Sequence, residues 1–203
     1  MIPVLNGLNV SRETIRDLEV FSDLVIKWNP AINLISKGDV NSIWERHIQD
    51  SAQVYQSAPH FNTWVDLGSG GGFPALVCAI LAKNAGDTGK FTLVESDKRK
   101  CAFLRTVIRD LGLNATVYAD RIEAVPSLSA DVVSARALSR LDTLLGYAFP
   151  HLDENGSCCF LKGEKWQEEV EIALREWIFD HEAHPSTVNP AAAVLEIRNL
   201  RRV

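Results

Sequence analysis

The sequence predicts an α/β protein with a doubly wound, mostly parallel sheet and an N-terminal helical extension. From about residue 60 onward, short β-branched or aromatic runs alternate with helical stretches, the order that βαβ units produce. The strand-like runs are almost entirely apolar, so we expect helices to cover both faces of the sheet. We therefore predict a helical extension over residues 1–59 and a sheet domain over residues 60–203.

Two amphipathic patterns make up the extension. The first predicts a helix from Val10 to Trp28, with Ser11 as its N-cap and Pro30 as the residue that ends it. The second predicts a helix from about Asn41 to Gln56. Its buried side is expected to carry Ile43, Trp44, His47, Ile48, Ser51 and Val54.

Six strand-like runs follow the extension. In chain order they are TWVDL, KFTLVE, ATVY, ADVVSA, SCCFLKG and AVLEIRNL. Helical stretches between them are predicted over Pro74–Lys83, Asp97–Leu111, Leu141–His151 and Glu164–Trp177.

The composition excludes several classes of protein. With 46% hydrophobic and 23% charged residues, the chain has the composition of an ordinary globular domain. Its longest apolar run, Ala75–Ala82, is too short for a membrane span of about 20 residues, and the N-terminus has no secretory pattern. The four cysteines lack metal-ligand spacing and favour buried thiols in a reducing compartment. We therefore expect a cytoplasmic protein with no metal and no membrane partner.

Charge excludes one further class. The net charge of −5 argues against a protein that coats nucleic acid by bulk electrostatics. It leaves room for a local basic patch around a cleft.

The stretch VDLGSGGGFP is the first candidate site. It joins a predicted strand to a predicted helix, at the edge where open α/β sheets bind their ligands. A dinucleotide fingerprint starting at Gly68 would need a third glycine at position 73, which is Phe73. Asp66, Gly68, Gly70 and Gly72 instead fit the acid-x-Gly-x-Gly-x-Gly loop of S-adenosylmethionine enzymes. That cofactor carries a sulfonium and an ammonium group, so a nearby carboxylate attracts it.

Acids after the next two strands agree with this cofactor. The run FTLVES ends in Glu95, whose carboxylate can accept both hydroxyls of an adenosine ribose. ATVY is followed by Asp120–Glu123, which we expect to meet the adenine edge.

The residues after the fourth predicted strand limit the kinds of atom that could accept the methyl group. It runs into Arg136–Arg140, with no Asn/Asp-Pro-Pro-aromatic loop for an exocyclic amine and no Pro-Cys loop for a pyrimidine carbon. An acceptor that is already nucleophilic, such as guanine N7, remains. It needs positioning rather than a general base, so we assign no catalytic residue.

The chain resembles one family closely: the bacterial 16S rRNA guanine-N7 methyltransferase G, also called glucose-inhibited division protein B. The resemblance rests on motifs spread over roughly residues 25–165, namely WNPAINLIS, RHIQDS, VDLGSGGGFP, ADRIEAV, SARAL and FLKG. It implies a Rossmann-like class I methyltransferase sheet of seven strands. It also implies transfer from S-adenosylmethionine to N7 of a guanosine in the decoding-region loop of 16S rRNA, with the small ribosomal subunit as partner.

The same resemblance implies the site residues. For the cofactor these are Gly68, Phe73, Ile122, Glu123 and Arg136, with Asp66, Gly70 and Glu95 contributing. For RNA or cofactor they are Arg121, Arg136 and Lys162.

Two features stand apart from the implied site. His47 and Asp50 are three residues apart, share a helix face and are expected to be a polar pair that locks the helices onto the sheet.

Family members often carry an arginine before the final strand, where this chain has Ala191–Ala193. Its basic residues follow instead, at Arg198, Arg201 and Arg202.

Two other functions remain open. The acidic net charge also suits a methyltransferase for small molecules. A ribosome-assembly factor that binds the cofactor without turnover is the second alternative, although the intact acids and glycines of the loop speak against a decayed site.

Overall fold

A seven-stranded sheet with helices on both faces forms the protein, described here by a computed structural model for Leu5 and residues 7–203. The strands are β1 (Thr63–Leu67), β2 (Lys90–Val94), β3 (Ala115–Tyr118), β4 (Ala130–Arg136), β5 (Leu152–Lys162), β6 (Trp177–Pro185) and β7 (Ala193–Arg202). The helices are α1 (Arg12–Ile32), α2 (Gln49–Ser57), α3 (Ala75–Ala85), α4 (Lys98–Leu111), α5 (Leu141–Ala148) and α6 (Trp166–Ala173). The predicted α/β class and the mostly parallel, doubly wound sheet are confirmed.

The strand order positions the site. It is β3-β2-β1-β4-β5-β7-β6, and only β7 runs antiparallel to its neighbours. Strands β1 to β3 are added toward one edge of the sheet and β4 onward toward the other, so the carboxyl ends of the parallel β1 and β4 flank the switch point where open sheets bind ligands. The loop VDLGSGGGFP begins there.

One strand and one helix end were predicted wrongly. Trp177 was expected to end a helix, but α6 ends at Ala173 and Trp177 begins β6. This strand lies at the sheet edge and buries only Trp177 and Phe179. Most of its other residues are polar, including Asp180 and Glu182, because an edge strand has one face and one side in solvent. The strand therefore lacks the continuous apolar pattern of a buried strand.

The end of α1 also differs from the prediction. Ser11 caps the helix as expected, its side chain accepting the Thr14 N–H. Pro30 does not end it, because a proline in the last turn costs only one backbone hydrogen bond. The helix continues to the buried Ile32, and Asn33, with the left-handed φ of 50°, is its C-cap.

The second predicted helix is built from three kinds of turn. A 3₁₀ segment, Lys37–Ser42, leads into a π-helical turn, Trp44–Ile48, and then into α2. Its predicted inner side is buried except for the half-buried Trp44. Single π turns occur often at functional sites, and this one carries His47.

The extension shares its core with the sheet. Apolar side chains of α1, α2, α3 and α4 form one hydrophobic cluster on one face, and α5 and α6 cover the other face. The connector after α2 contains residue 59, and we propose it as the limit of the helical extension. Within the described ranges, no helix is both long and apolar enough to cross a bilayer.

Candidate active site

The loop after β1 is shaped by its glycines. Gly68, Gly70 and Gly72 have φ values of 67°, 53° and 87°, a region that side-chain-bearing residues rarely adopt. The N–H groups of Gly68 and Ser69 both donate to the Val94 carbonyl, at 2.9 and 3.1 Å. The loop therefore turns back over the end of β2 before α3 begins.

Gly71 is required for another reason. A Cβ added there would lie 2.9 Å from the carbonyl oxygen of Leu34, which is backbone and cannot rotate away. The segment after α1 thus packs directly on the loop. Asn29 holds that segment, since its buried Oδ1 accepts the N–H groups of Leu34 and Ile35 at 2.7 and 2.9 Å.

Glu95 fastens the loop from the second strand. Its Oε2 accepts the Gly70 N–H at 2.8 Å, and its Oε1 accepts the Asp97 N–H at 2.7 Å. Asp97 in turn caps α4. Carboxylate oxygens each accept more than one hydrogen bond, so Glu95 retains capacity for ligand hydroxyls.

A cavity of about 270 Å³ opens beside Glu95. Seven predicted residues line it: Gly68, Gly70, Glu95, Asp120, Arg121, Ile122 and Glu123. We call it the β1 cavity. Ser96, Leu138 and Tyr147 also line it and were not assigned to the site from the sequence, although Leu138 lies within the SARAL motif.

A second cavity, of about 470 Å³, lies beyond Leu138, which borders both. We call it the β4 cavity. It contains the predicted Arg136 and Lys162, together with Asp50 and Glu169. Ala137, between Arg136 and Leu138, has the left-handed φ of 51°, and such strain in a non-glycine residue occurs often at functional sites.

Asp66 lies outside both cavity linings. Its side chain is 1% exposed, and its Oδ1 accepts a 2.6 Å hydrogen bond from Ser134, which also accepts from Trp64 Nε1. Its Oδ2 finds no hydrogen-bond partner among the described residues. Burial raises the pKa of Asp66 to about 6.

Phe73 also lies beneath the loop rather than on a cavity wall. Its ring packs against Phe21 and His47, with centroids 5.0 and 5.1 Å away. The Arg136 guanidinium lies over the same ring at 4.9 Å. Phe73 therefore supports Arg136 from below, and any contact of Phe73 with a cofactor stays a prediction.

His47 completes this arrangement. Its Nδ1 lies 2.6 Å from Arg136 Nη1, which can only donate, so the ring proton belongs on Nε2. Nε2 faces Asp39 Oδ2 at 3.5 Å. Burial, followed by the Arg136 charge, lowers the pKa of His47 to about 4, and burial lowers the pKa of Arg136 to about 10. His47 is thus a neutral support for a charged arginine.

Lys162 is held within the protein. Its ammonium lies 2.6 Å from Glu169 Oε2 and donates to the Ser139 carbonyl at 2.9 Å. Glu169 Oε2 also accepts the Leu141 N–H. Lys162 therefore shapes the wall of the β4 cavity, and its predicted contact with RNA is untested.

The sequence predicted that His47 and Asp50 form a polar pair that locks the helices onto the sheet. In the structure these two side chains do not bond each other. Asp50 instead accepts a 2.8 Å hydrogen bond from Ser186, in the loop between β6 and β7. Gln53 binds the same loop through Pro185 O and Thr187 N. The second helix is still tied to the sheet, but through this loop.

The C-terminal arginines lie away from both cavities. Because β7 is antiparallel to β5, Ala193 pairs with Lys162 at the site edge, whereas Arg201 pairs with Ile178. Arg198 bonds Glu182 and Glu196, at 3.3 Å each. With His184, those glutamates form the one potential metal-ligand group found among the described residues, and Arg198 already occupies it.

Comparison with known proteins gives one consistent family. The GidB family model, described as rRNA small subunit methyltransferase G, matches residues 14–198. A curated relative from Ruegeria pomeroyi, named ribosomal RNA small subunit methyltransferase G, is 49% identical over 203 residues, covering 100% of both chains.

Solved structures agree on the fold. A methyltransferase from Geobacter sulfurreducens matches with a TM-score of 0.62 at 14% identity, covering 96% of this chain and 94% of its own. TYW2 from M. jannaschii, solved in complex with AdoMet, matches with a TM-score of 0.57 at 16% identity, covering 83% and 78%. At these identities the likeness concerns the fold alone.

Proposed function

The chain belongs to the rRNA small subunit methyltransferase G family, and from this premise we propose that it methylates N7 of a guanosine in the decoding-region loop of 16S rRNA. Members of this family are rRNA methyltransferases, and the chain is one of them. The methyl donor is S-adenosylmethionine, and the small ribosomal subunit is the proposed partner.

The β1 cavity supports the donor site. Gly68 and Gly70, which carry no side chain, line it together with Glu95 at the end of β2. Ile122 and Glu123 line the same cavity. The Glu95 carboxylate can accept hydrogen bonds from the ribose hydroxyls. The half-buried Ile122 and the polar Glu123 can contact the adenine. Asp66, buried behind the loop, adds negative potential toward a cationic donor.

The β4 cavity supports the acceptor site. It shares Leu138 with the β1 cavity, so a base placed in one lies next to a donor placed in the other. This adjacency is the observation that carries the proposal. Arg136 and Arg140 line the β4 cavity and supply positive charge for RNA, which the net charge of the chain does not.

The proposed chemistry is a direct in-line displacement. The N7 lone pair of guanine attacks the methyl carbon, the carbon–sulfur bond breaks, and the sulfur keeps the bonding electrons. The products are 7-methylguanine, now cationic, and neutral S-adenosylhomocysteine thioether. N7 carries no proton, so no base is needed, and alignment of the three atoms supplies the acceleration.

Transfer of labelled methyl groups tests this proposal. Purified protein with labelled donor is incubated with deproteinised 16S rRNA or small subunits from a strain that lacks the enzyme, and the modified nucleotide is mapped. We expect one 7-methylguanosine in the decoding-region loop. Label in another nucleotide, or in small molecules only, would replace the proposal, and tight donor binding without transfer would favour an assembly factor.

A further inference from the structure

The β4 cavity contains two carboxylates in different states. Glu169 is neutralised by an ion pair, since its Oε2 lies 2.6 Å from the Lys162 ammonium and also accepts the Leu141 N–H at 2.8 Å. Asp50 forms no salt bridge with any described residue, and only its Oδ1 is bonded, to Ser186. Asp50 therefore retains Oδ2 and further lone pairs for a ligand.

Asp50 is also held in place. It lies on the first turn of α2, and the loop that carries Ser186 is fixed to the same helix by Gln53. Ser186 itself accepts the N–H groups of Val188 and Asn189, so its hydroxyl is oriented toward Asp50. A carboxylate fixed in this way is preorganised rather than flexible.

The chemistry of base edges selects one ligand for such a group. Guanine is the only standard base with two adjacent N–H donors, N1–H and the N2 amine, on its Watson–Crick edge. A carboxylate accepts both together, as it does with the two N–H groups of an arginine. N7 lies on the opposite edge and stays free. Enzymes that act on extruded bases commonly read this same edge.

We propose that Asp50 selects the methyl acceptor by accepting hydrogen bonds from N1–H and N2–H of guanine, an inference that rests on the proposed function. The base then lies in the β4 cavity, with its Watson–Crick edge toward α2 and its N7 edge toward Leu138 and the donor. Leu138 and Leu161 supply apolar surface for the ring. Adenine would turn its single amine and the N1 lone pair toward the anion and be repelled.

An alternative role for Asp50 is purely structural, as the anchor of Ser186. The two roles differ in one observable, because only a base-reading carboxylate responds to removal of the N2 amine from the RNA. The test therefore compares 16S rRNA fragments that carry guanosine, inosine or 7-deazaguanosine at the mapped position. Inosine lacks the N2 amine but keeps N7, whereas 7-deazaguanosine lacks N7.

The measured quantity is kcat/KM on guanosine and inosine fragments for the wild-type protein and two variants. Wild-type kcat/KM falls roughly 10–100-fold from guanosine to inosine, the value of one lost charge-assisted hydrogen bond. Asp50→Asn reduces guanosine methylation by a similar factor and brings the guanosine-to-inosine ratio close to one. Ser186→Ala, the matched control, loses only the anchor, so it lowers both rates and keeps most of the ratio.

Equal wild-type rates on guanosine and inosine would overturn the inference, and this comparison needs no variant to fold. A full guanosine preference in folded Asp50→Asn, checked by thermal unfolding, would overturn it as well. Failure of the proposed function looks different, because no 7-methylguanosine would then form on the unmodified RNA, or 7-deazaguanosine would be methylated.

Discussion

At the scale of single residues, Glu95 links the glycine loop, the end of β2 and the start of α4 at the β1 cavity. One of its oxygens fixes Gly70 and the other fixes the start of α4 through Asp97. Glu95 also lines the cavity in which we place a ribose. The sequence placed this acid at the end of a strand, as the structure has it directly after β2, and its contact with the donor stays a prediction.

We predict that Glu95→Gln weakens binding of S-adenosylmethionine by roughly 10–100-fold, since an amide accepts from one atom only and lacks the charge. Isothermal titration calorimetry measures this. The matched control is Asp97→Asn, because asparagine caps a helix as well as aspartate, and its affinity should stay near that of the wild type. Equal affinities of Glu95→Gln and wild type would remove Glu95 from the donor site.

Burial of Asp66 predicts a pH effect on stability. Its pKa is about 6 in the folded protein and 3.8 when exposed, so the folded state binds the proton more tightly. Stability linked to this group is therefore present below about pH 4 and is lost as pH rises through about 6, by up to about 3 kcal/mol.

The comparison uses Asp66→Asn, which does not titrate. The free energy of unfolding of the wild type should fall relative to this variant between about pH 4 and pH 7. Urea unfolding across that range measures the difference. The exposed Asp23→Asn is the control and should follow the wild-type curve within about 0.5 kcal/mol. Parallel curves for Asp66→Asn would mean that Asp66 titrates normally.

At the scale of elements, the junction between α1 and the glycine loop connects fold and function. Asn29 accepts two buried N–H groups, and the segment it holds lies against Gly71. The helical extension thus supports the loop that we assign to the donor.

Asn29→Ala should lower the free energy of unfolding by about 2–4 kcal/mol, because two buried N–H groups lose their acceptor. Donor binding should weaken in parallel, as the loop loses its support. Chemical unfolding and calorimetry measure the two effects, with the exposed Asn41→Ala as a control expected to change stability by less than about 0.5 kcal/mol. An Asn29→Ala protein of wild-type stability would show that the turn after α1 does not depend on this side chain.

Elements were predictable where their pattern was local. The buried parallel strand β1 is mostly apolar, and its bounds agree with the sequence prediction. The polar edge strand β6 has no such pattern, and the π turn around His47 depends on tertiary packing. The loop contact of Asp50 with Ser186 joins residues 136 positions apart, which no local pattern can indicate.

At the scale of the whole molecule, the strand order brings residues of four strand ends to one edge. Gly68, Glu95, Ile122 and Leu138 follow β1, β2, β3 and β4 and meet around one cavity. The sequence analysis named Gly68, Glu95 and Ile122 as site residues, and it placed Leu138 within the SARAL motif without giving it a role. The sequence analysis did not separate a donor cavity from an acceptor cavity. That division depends on the position of Leu138, which lines both cavities in the folded protein.

The central claim is that S-adenosylmethionine binds at the carboxyl end of β1. A crystal structure of the protein with S-adenosylhomocysteine tests it most directly. We predict the ribose hydroxyls on Glu95, the adenine beside Ile122 and Glu123, and the sulfur near Leu138 and facing the β4 cavity. Density for the nucleoside at any other place, or no bound nucleoside at saturating concentration, would contradict the account.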